Sequence, residues 1–141
     1  MVRKEKGDEA LKSISISKVQ KAFNDAIRRR DCRCMVKDYE HCSGALESSH
    51  FFTVGGNPSL RFFPPNAYAQ CQKHHFNHHN KSVKTYVTFM QTYHNDDLIY
   101  MQKARNCYIK YDEAFKAEII KLCNADKLNE LTELIKERLG Y

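Results

Sequence analysis

The sequence contains no tryptophan, no long apolar run and, over one long stretch, no negative charge. No apolar run approaches the roughly 20 residues that cross a bilayer, and no positively charged, apolar signal segment opens the chain. We therefore expect a soluble cytoplasmic protein with no membrane partner. Only 42% of the 141 residues are hydrophobic, which favours one domain with a modest core. A bound metal would supply stability that such a core lacks.

The stretch without negative charge covers residues 48–95, where the chain has no Asp or Glu but has six histidines and several Lys and Arg. Residues 1–37 contain 11 Lys and Arg against 5 Asp and Glu, and the formal net charge of the chain is +6. A surface with cations and few carboxylates favours a polyanionic partner, because phosphate binding releases condensed counterions. Charge alone is a weak indication of nucleic-acid binding, so a motif must support it.

Histidine and cysteine are crowded into the middle of the chain. Six of the seven histidines lie between His41 and His79, and four of the six cysteines lie between Cys32 and Cys71. Thiolate and imidazole are the side chains that hold zinc and other first-row divalent ions. In a reducing compartment, these cysteines are better interpreted as metal ligands or buried thiols than as disulfides. The crowding therefore predicts metal binding.

The hydrophobic pattern predicts three regions. Residues 1–14 are polar and are expected to form a flexible basic tail, followed by a core over 15–95 and a helical extension over 96–141. An amphipathic helix is expected over residues 15–31, with one apolar face formed by Val19, Phe23, Ala26 and Ile27. The triplet Arg28, Arg29 and Arg30 suits the C-terminal end of this helix dipole, or forms a phosphate-facing patch.

The core pattern predicts a β-β-α unit. A first strand is expected around His50–Phe52, and a second at Leu60–Phe63, stopped by two prolines. A helix should then begin near Asn66–Tyr68 or at Cys71. Residues 31–45 favour a short hairpin or a zinc-binding loop. In the extension, two helices are predicted from apolar residues at helical spacing: Tyr108, Tyr111, Phe115, Ile119 and Leu122, then Leu128, Leu131, Leu134 or Ile135, and Leu139. These helices cover the core or pair with a second subunit.

The motif Cys71-x-x-His74 is a compact half-site for structural zinc. Cys34 and Cys42 flank the expected turn and are the preferred second half, with Cys32 as an alternative to Cys34. Two further histidines, His75 and His79, are four residues apart, so on a helix they share a face and are candidates to hold one divalent ion.

Two other residues are candidates for catalysis. A histidine titrates near neutral pH, which makes His50 the candidate general base for attack on a phosphodiester. The amide of Asn66 is placed to fix the site by hydrogen bonding to backbone across the turn. His78 is expected to point aside, and Phe51, Phe52, Phe62 and Phe63 to pack in the core.

The run from Phe23 to Asp31, the pair Ser49-His50 before Phe51, Leu60-Arg61-Phe62, Asn66 and Gln70-Cys71-x-x-His74 together resemble the NinG/Rap recombination nucleases of lambdoid bacteriophages. That family belongs to the HNH, or ββα-metal, endonucleases. The resemblance implies an α+β fold: a small zinc-stabilised HNH-type core with an N-terminal helix and a helical C-terminal region.

By the same resemblance, the chain is expected to be a DNA endonuclease for branched or displaced-strand recombination intermediates, in the host bacterial cytoplasm. His50 would be the base, and His75 a ligand of a catalytic Mg²⁺ or Mn²⁺ beside the structural zinc. The family often has a ligand directly before the base histidine, where this chain has Ser49, so Glu47 is the candidate substitute. The residues expected to neutralise phosphates are Arg28, Arg29, Arg30, Arg61, Lys73 and Lys81. Coordinated cuts in a four-way junction would favour a homodimer.

Three functions remain open from the sequence. The first is the metal-dependent endonuclease. The second is a zinc-stabilised nucleic-acid-binding module without catalysis, which fits the charge and the Cys/His set equally well. The third is a structural zinc domain that binds another protein through its C-terminal helices. A binding module has no need of His50 and His75, and a protein-interaction domain has no need to exclude carboxylates from residues 48–95.

Overall fold

The computed structural model describes residues 14–141, so all of the expected tail except residue 14 lies outside the described residues. This described part of the chain is rich in helix, with one small sheet. The helices are α1 Ile16–Asp31, α2 Gln72–Asn80, α3 Lys84–Tyr93, α4 Asn95–Ala104, α5 Glu113–Asn124 and α6 Leu128–Leu139. The strands are β1 Leu46–His50 and β2 Ala67–Cys71, and two 3-10 turns lie between them at Pro58–Leu60 and Pro64–Asn66.

Helix α1 begins and ends as its sequence predicts. The Ser15 hydroxyl caps it by accepting a hydrogen bond from the Lys18 N–H, and Cys32 ends it in the left-handed conformation. Its four expected apolar residues are all buried. This face packs against α5 and against both strands, so α1 is the central support of the sheet.

The strands form a two-stranded antiparallel sheet, in which Leu46 pairs with Cys71 and His50 with Ala67. The prediction of a second strand at Leu60–Phe63 is wrong, because Pro58 and Pro64 each start a 3-10 turn around that segment. Its apolar residues are buried without alternating between two faces, as a half-exposed strand requires. The first strand also ends earlier than expected, at His50.

Helix α2 begins directly after β2, at the later of the two expected positions. Cys71 is both the last residue of the strand and the N-cap of the helix, where its sulfur accepts a hydrogen bond from the His74 N–H. The chain order of strand, strand and helix is therefore present, with a different second strand from the expected one. This order brings residues of β1 beside the first two turns of α2.

The two C-terminal helices are confirmed, although the first begins later than its apolar spacing predicts. Asp112 caps α5, so Tyr108 and Tyr111 lie in the preceding loop. The buried residues of α5 and α6 join the same hydrophobic core as α1: Phe115, Ile119, Leu131 and Ile135. None of the helices within residues 14–141 is long and apolar enough to span a membrane.

Candidate metal centre

Four side chains converge on one point beside the start of α2. Cys34, Cys42, Cys71 and His74 each offer one ligand atom, and these atoms all lie within 4.8 Å of one another. The His74 Nδ1 is 3.8 Å from the Cys34 sulfur, 3.7 Å from the Cys42 sulfur and 3.0 Å from the Cys71 sulfur. Three thiols and one imidazole are a donor set typical of structural zinc. The four residues therefore form a candidate metal site that suits zinc.

Backbone hydrogen bonds hold the loop before β1 against the end of the sheet and so assemble this site. The Met35 N–H donates to the Ala69 carbonyl at 2.7 Å, which brings Cys34 beside β2. At the other end of the loop, the Lys73 N–H donates to the Ser43 carbonyl at 3.1 Å, next to Cys42. Residues from a loop and from a helix cap thus meet, although they are 29 or more positions apart along the chain.

A carboxylate that sequence reasoning missed orients the histidine of the centre. The His74 Nε2 lies 3.0 Å from the Asp38 Oδ1 and donates to it, which leaves Nδ1 facing the three sulfurs. Such an outer partner fixes the tautomer and raises the basicity of a ligating imidazole. The only signal in the sequence is the position of Asp38 inside the Cys34–Cys42 loop.

The thiols of the centre differ in their tendency to ionise. Burial raises the pKa of the Cys71 thiol, but backbone hydrogen bonds from His74 and Ser43, together with the side chains of His74 and Cys42, outweigh burial and lower this pKa overall. Burial raises the pKa of Cys34, and the neighbouring thiolates add to the increase. A divalent cation at the centre would neutralise this repulsion, which is why the cluster fits a metal better than free thiols.

The alternative ligand Cys32 is placed elsewhere. It is exposed at the left-handed end of α1, and its sulfur donates to the Arg29 carbonyl at 2.9 Å. Among the described residues, the group that meets at the centre contains Cys34 and not Cys32.

A second cluster adjoins the centre and contains the residues predicted to hold a catalytic ion. The His75 Nδ1 lies 3.1 Å from the Glu47 Oε1, and the His75 Nε2 lies 3.0 Å from the His79 Nε2. All three line an open cavity of about 600 Å³. Burial, followed by the nearby His75, lowers the pKa of His79 and favours its neutral, ligating form. The structure thus brings the carboxylate of β1 and the two histidines of α2 together.

His50 stands at the end of β1 in a more enclosed position. Its Nε2 donates to the Arg61 carbonyl at 2.9 Å, and its ring stacks on Phe23 with centroids 5.5 Å apart. Burial lowers the pKa of His50 to about 4, with a further contribution from His75 and His79 when they are charged. His50 is therefore neutral at pH 7. It is not one of the residues that line the cavity at Glu47.

Asn66 is fully buried and holds the loop between the strands by its amide. Its Oδ1 accepts a hydrogen bond from the Phe52 N–H at 2.9 Å, and its Nδ2 donates to the carbonyls of Phe52 and Leu60 at 3.0 and 3.2 Å. These contacts cross the turn after β1, next to the strand end that carries His50.

The cations predicted to contact phosphate are engaged to different degrees. Arg28 pairs with Asp25, and Arg29 with Asp126 at 2.8 Å. Arg30 pairs with Asp31 at 2.8 Å and also donates to the Pro64 and Ala67 carbonyls.

The other three cations make fewer contacts. Arg61 donates to the Gln20 amide oxygen, and Lys73 lies 3.4 Å from Glu40. Lys81 is exposed and forms no ion pair within residues 14–141. Arg29 and Arg30 thus brace the fold, and DNA contact by the set stays a prediction.

Tyr86 is a second residue whose role sequence reasoning missed. Its hydroxyl donates to the Ser49 carbonyl at 2.7 Å and accepts from the Tyr68 N–H at 3.1 Å. Ser49 and Tyr68 are partners in the sheet, so one buried phenol joins both strands. The buried ring of His78 packs on Tyr86 with centroids 4.8 Å apart, and its centroid also lies 4.9 Å from that of His79.

The fold and the site define a helix-rich protein with a small two-stranded sheet and a cysteine–histidine cluster that could bind a metal. Residues 2–126 of the 141 match the family described as bacteriophage lambda NinG protein. The chain belongs to this NinG family, which confirms the resemblance to a bacteriophage protein. No curated protein and no solved structure matches the chain significantly.

Proposed function

We propose that this protein is a metal-dependent DNA endonuclease of the HNH type that acts on branched or single-strand-containing recombination intermediates. The observation that carries the proposal is the cluster of Glu47, His75 and His79 on one open cavity, directly beside the zinc-type centre. A strand that supplies a base, and a following helix that supplies imidazole ligands, is the arrangement expected of a ββα-metal site. Membership of the NinG family supports the link to phage recombination.

The ligand atoms of this cluster indicate which metal ion it would bind. Two imidazoles and one carboxylate suit Mn²⁺ and other first-row transition ions better than Mg²⁺, which prefers oxygen ligands. An ion bound there would polarise the scissile phosphate and stabilise the leaving 3′ oxygen. Mn²⁺ is therefore the favoured ion in this proposal.

In this proposal, side chains of the protein accept the proton from water and hold the substrate. Because Nε2 of His50 is fixed on the Arg61 carbonyl, the other ring nitrogen, Nδ1, is the one available to accept a proton from water. The depressed pKa of His50 keeps this nitrogen unprotonated at neutral pH. Lys73, on the cavity wall, and Lys81, one residue beyond α2, would neutralise flanking phosphates.

One observation favours a second candidate, a zinc-stabilised nucleic-acid-binding module without catalysis. His50 packs on Phe23 and lies outside the lining of the cavity, so its position has an adequate structural explanation. In that case the candidate metal centre would serve folding alone, and the cations would bind DNA without cutting it.

A cleavage assay separates these candidates. Labelled linear duplex, single-stranded, flapped and four-way-junction DNA would be incubated with the zinc-loaded protein alone and with added Mg²⁺ or Mn²⁺. We expect cutting of the branched substrates with Mn²⁺, and its loss in His50→Ala and in His75→Ala. The matched control is His41→Ala, which removes an exposed histidine that forms no hydrogen bond to the cluster within residues 14–141. Zinc content confirms that each variant is folded. Salt-sensitive DNA binding with no cutting in either metal would establish the binding module instead.

A further inference from the structure

A groove separate from the cavity at Glu47 opens between the loop that follows α1 and the end of α3. Its volume is about 650 Å³. The residues that line it include two cations, a thioether and three rings: Arg33, Lys37, Met35, Phe89, Tyr93 and His94. None of these residues was assigned to the metal centre or to the cavity at Glu47, so the proposed chemistry leaves the groove without a role.

Aromatic rings form one wall of this groove. Tyr93 is 71% exposed although its neighbour Phe89 packs against the core. The ring centroids of Phe89 and Tyr93 are 5.6 Å apart, and those of Phe89 and His94 are 5.1 Å apart. Behind them, Tyr68 stacks on His94 and carries the Arg30 guanidinium on its ring. The wall is therefore braced from inside and leaves the Tyr93 ring accessible for stacking.

The opposite wall is positively charged. Arg33 and Lys37 are exposed, and neither forms an ion pair within residues 14–141. Among the residues that the structure describes, no carboxylate lines the groove. Burial lowers the pKa of His94, and two acidic residues lie close enough to oppose that shift, Asp97 and Asp31. Asp31 is already bonded to Arg30 and to the Ala69 N–H. Asp97 is half-buried in the first turn of α4. The charge of the groove is complementary to a polyanion.

An accessible ring beside two unpaired cations is the combination that binds single-stranded nucleic acid, because bases stack on the ring while cations follow the backbone. A duplex hides the faces of its bases and cannot stack in this way. We propose that the groove binds an unpaired segment of DNA strand, with a base on Tyr93 and neighbouring phosphates on Arg33 and Lys37. This rests on the proposed function only in taking DNA as the ligand.

The metal centre borders both the groove and the catalytic cavity. Cys34 lines the groove, whereas Lys73 and His75, the chain neighbours of His74, line the cavity. An unpaired strand in the groove would therefore anchor the substrate next to the proposed cutting site. A nuclease built in this way selects substrates that have an unpaired strand at a branch.

The test uses binding without cleavage. Fluorescein-labelled oligothymidylate is titrated with the full-length, zinc-loaded protein, without added divalent ion, and binding is measured by fluorescence anisotropy. We expect Tyr93→Ala to weaken binding by about fivefold to a hundredfold, as the loss of one stacked base predicts. Tyr93→Phe, which keeps the ring, should bind like wild type. Tyr108→Ala, which removes a ring that is 83% exposed in a different loop, is the matched control and should have no effect. A blunt duplex of equal length should bind Tyr93→Ala and wild type equally.

A salt titration tests the cationic wall separately. Arg33→Gln and Lys37→Gln should each reduce the slope of log affinity against log salt concentration by about 0.7, the value for one phosphate contact on a single strand. Unchanged oligothymidylate binding in Tyr93→Ala, at wild-type zinc content, overturns the inference, as does equal weakening of duplex binding. If Tyr93-dependent binding occurs but no DNA is cut with any metal, the groove stands and the nuclease assignment fails.

Discussion

The Asp38 carboxylate accepts a hydrogen bond from His74 and thereby turns the other nitrogen of this imidazole toward three cysteine sulfurs. Asp38 contributes no ligand atom, yet it ties His74 of the candidate metal centre to the loop between Cys34 and Cys42. The same carboxylate also accepts from the Glu40 N–H at 2.7 Å, so its own position is fixed. Its removal should therefore weaken metal binding without removing a ligand.

We expect Asp38→Ala to lower the zinc affinity by about 10- to 100-fold, the usual effect of losing an outer-shell partner. The measurement is competition for zinc with a chromophoric chelator. Glu40→Ala is the matched control, because Glu40 lies in the same loop but contacts Lys73 and Asn77, not His74. Equal affinities in wild type and Asp38→Ala would show that His74 is oriented by other contacts.

The cluster at the cavity predicts a second and weaker metal site. Glu47→Gln keeps the shape of the side chain but removes the charge that faces His75. We expect it to weaken Mn²⁺ binding by about tenfold or more, since a carboxylate ligand is lost while both imidazoles remain. Electron paramagnetic resonance of Mn²⁺ added to the zinc-loaded protein measures this without any cleavage. Glu40→Gln should bind Mn²⁺ like wild type, and a comparable loss in both variants would contradict a site at Glu47.

Asn66 should contribute strongly to stability because its buried amide satisfies three backbone groups around the turn after β1. Asn66→Ala leaves these groups without their partner, and we expect the free energy of unfolding to fall by about 2–4 kcal/mol. Urea denaturation in excess zinc measures the change. Asn80→Ala, at the exposed end of α2, removes one hydrogen bond to the Phe76 carbonyl and should change stability by less than about 0.5 kcal/mol. A similar small change in Asn66→Ala would mean that the turn rearranges to satisfy its backbone.

The parts of the structure that could be predicted from sequence are those set by local spacing. The apolar face of α1 follows helical periodicity, and Cys71-x-x-His74 joins a strand end to a helix cap by the same local geometry. The i, i+4 spacing of His75 and His79 likewise placed them side by side. For such features, secondary structure alone determines which side chains meet.

The second strand was missed because tertiary burial, not local propensity, decides it. Residues Ala67–Cys71 are buried at every position, so they show no alternation, and alanine and glutamine have little preference for strands. The aromatic run before it looked like a strand but connects one 3-10 turn to the next. Asp38 and Tyr86 were missed for a related reason: each acts through a partner 36 or 37 positions away in the chain.

The low pKa of His50 predicts a dependence of stability on pH. In the folded state burial lowers the pKa to about 4, whereas in the unfolded chain it returns to its usual value of 6.5. The unfolded state therefore takes up a proton as the pH falls below 6.5, while the folded state does not until the pH approaches 4. The stability that His50 contributes is complete above pH 6.5 and is lost progressively between pH 6.5 and pH 4.

Between pH 7 and pH 5 this loss amounts to about 2 kcal/mol for His50 alone. Protonation of the cysteine and histidine ligands would also weaken metal binding in acid. Wild type must therefore be compared with His50→Gln, which keeps a donor for the Arg61 carbonyl but does not titrate. Urea denaturation of both proteins at pH 7 and pH 5, with the same excess of zinc, gives the loss of unfolding free energy for each. The difference between the two losses is the contribution of His50. We expect His50→Gln to lose about 2 kcal/mol less than wild type over this range. Equal losses would mean that His50 is open to water in the folded protein, and the enclosed position between Phe23 and Arg61 would then be wrong.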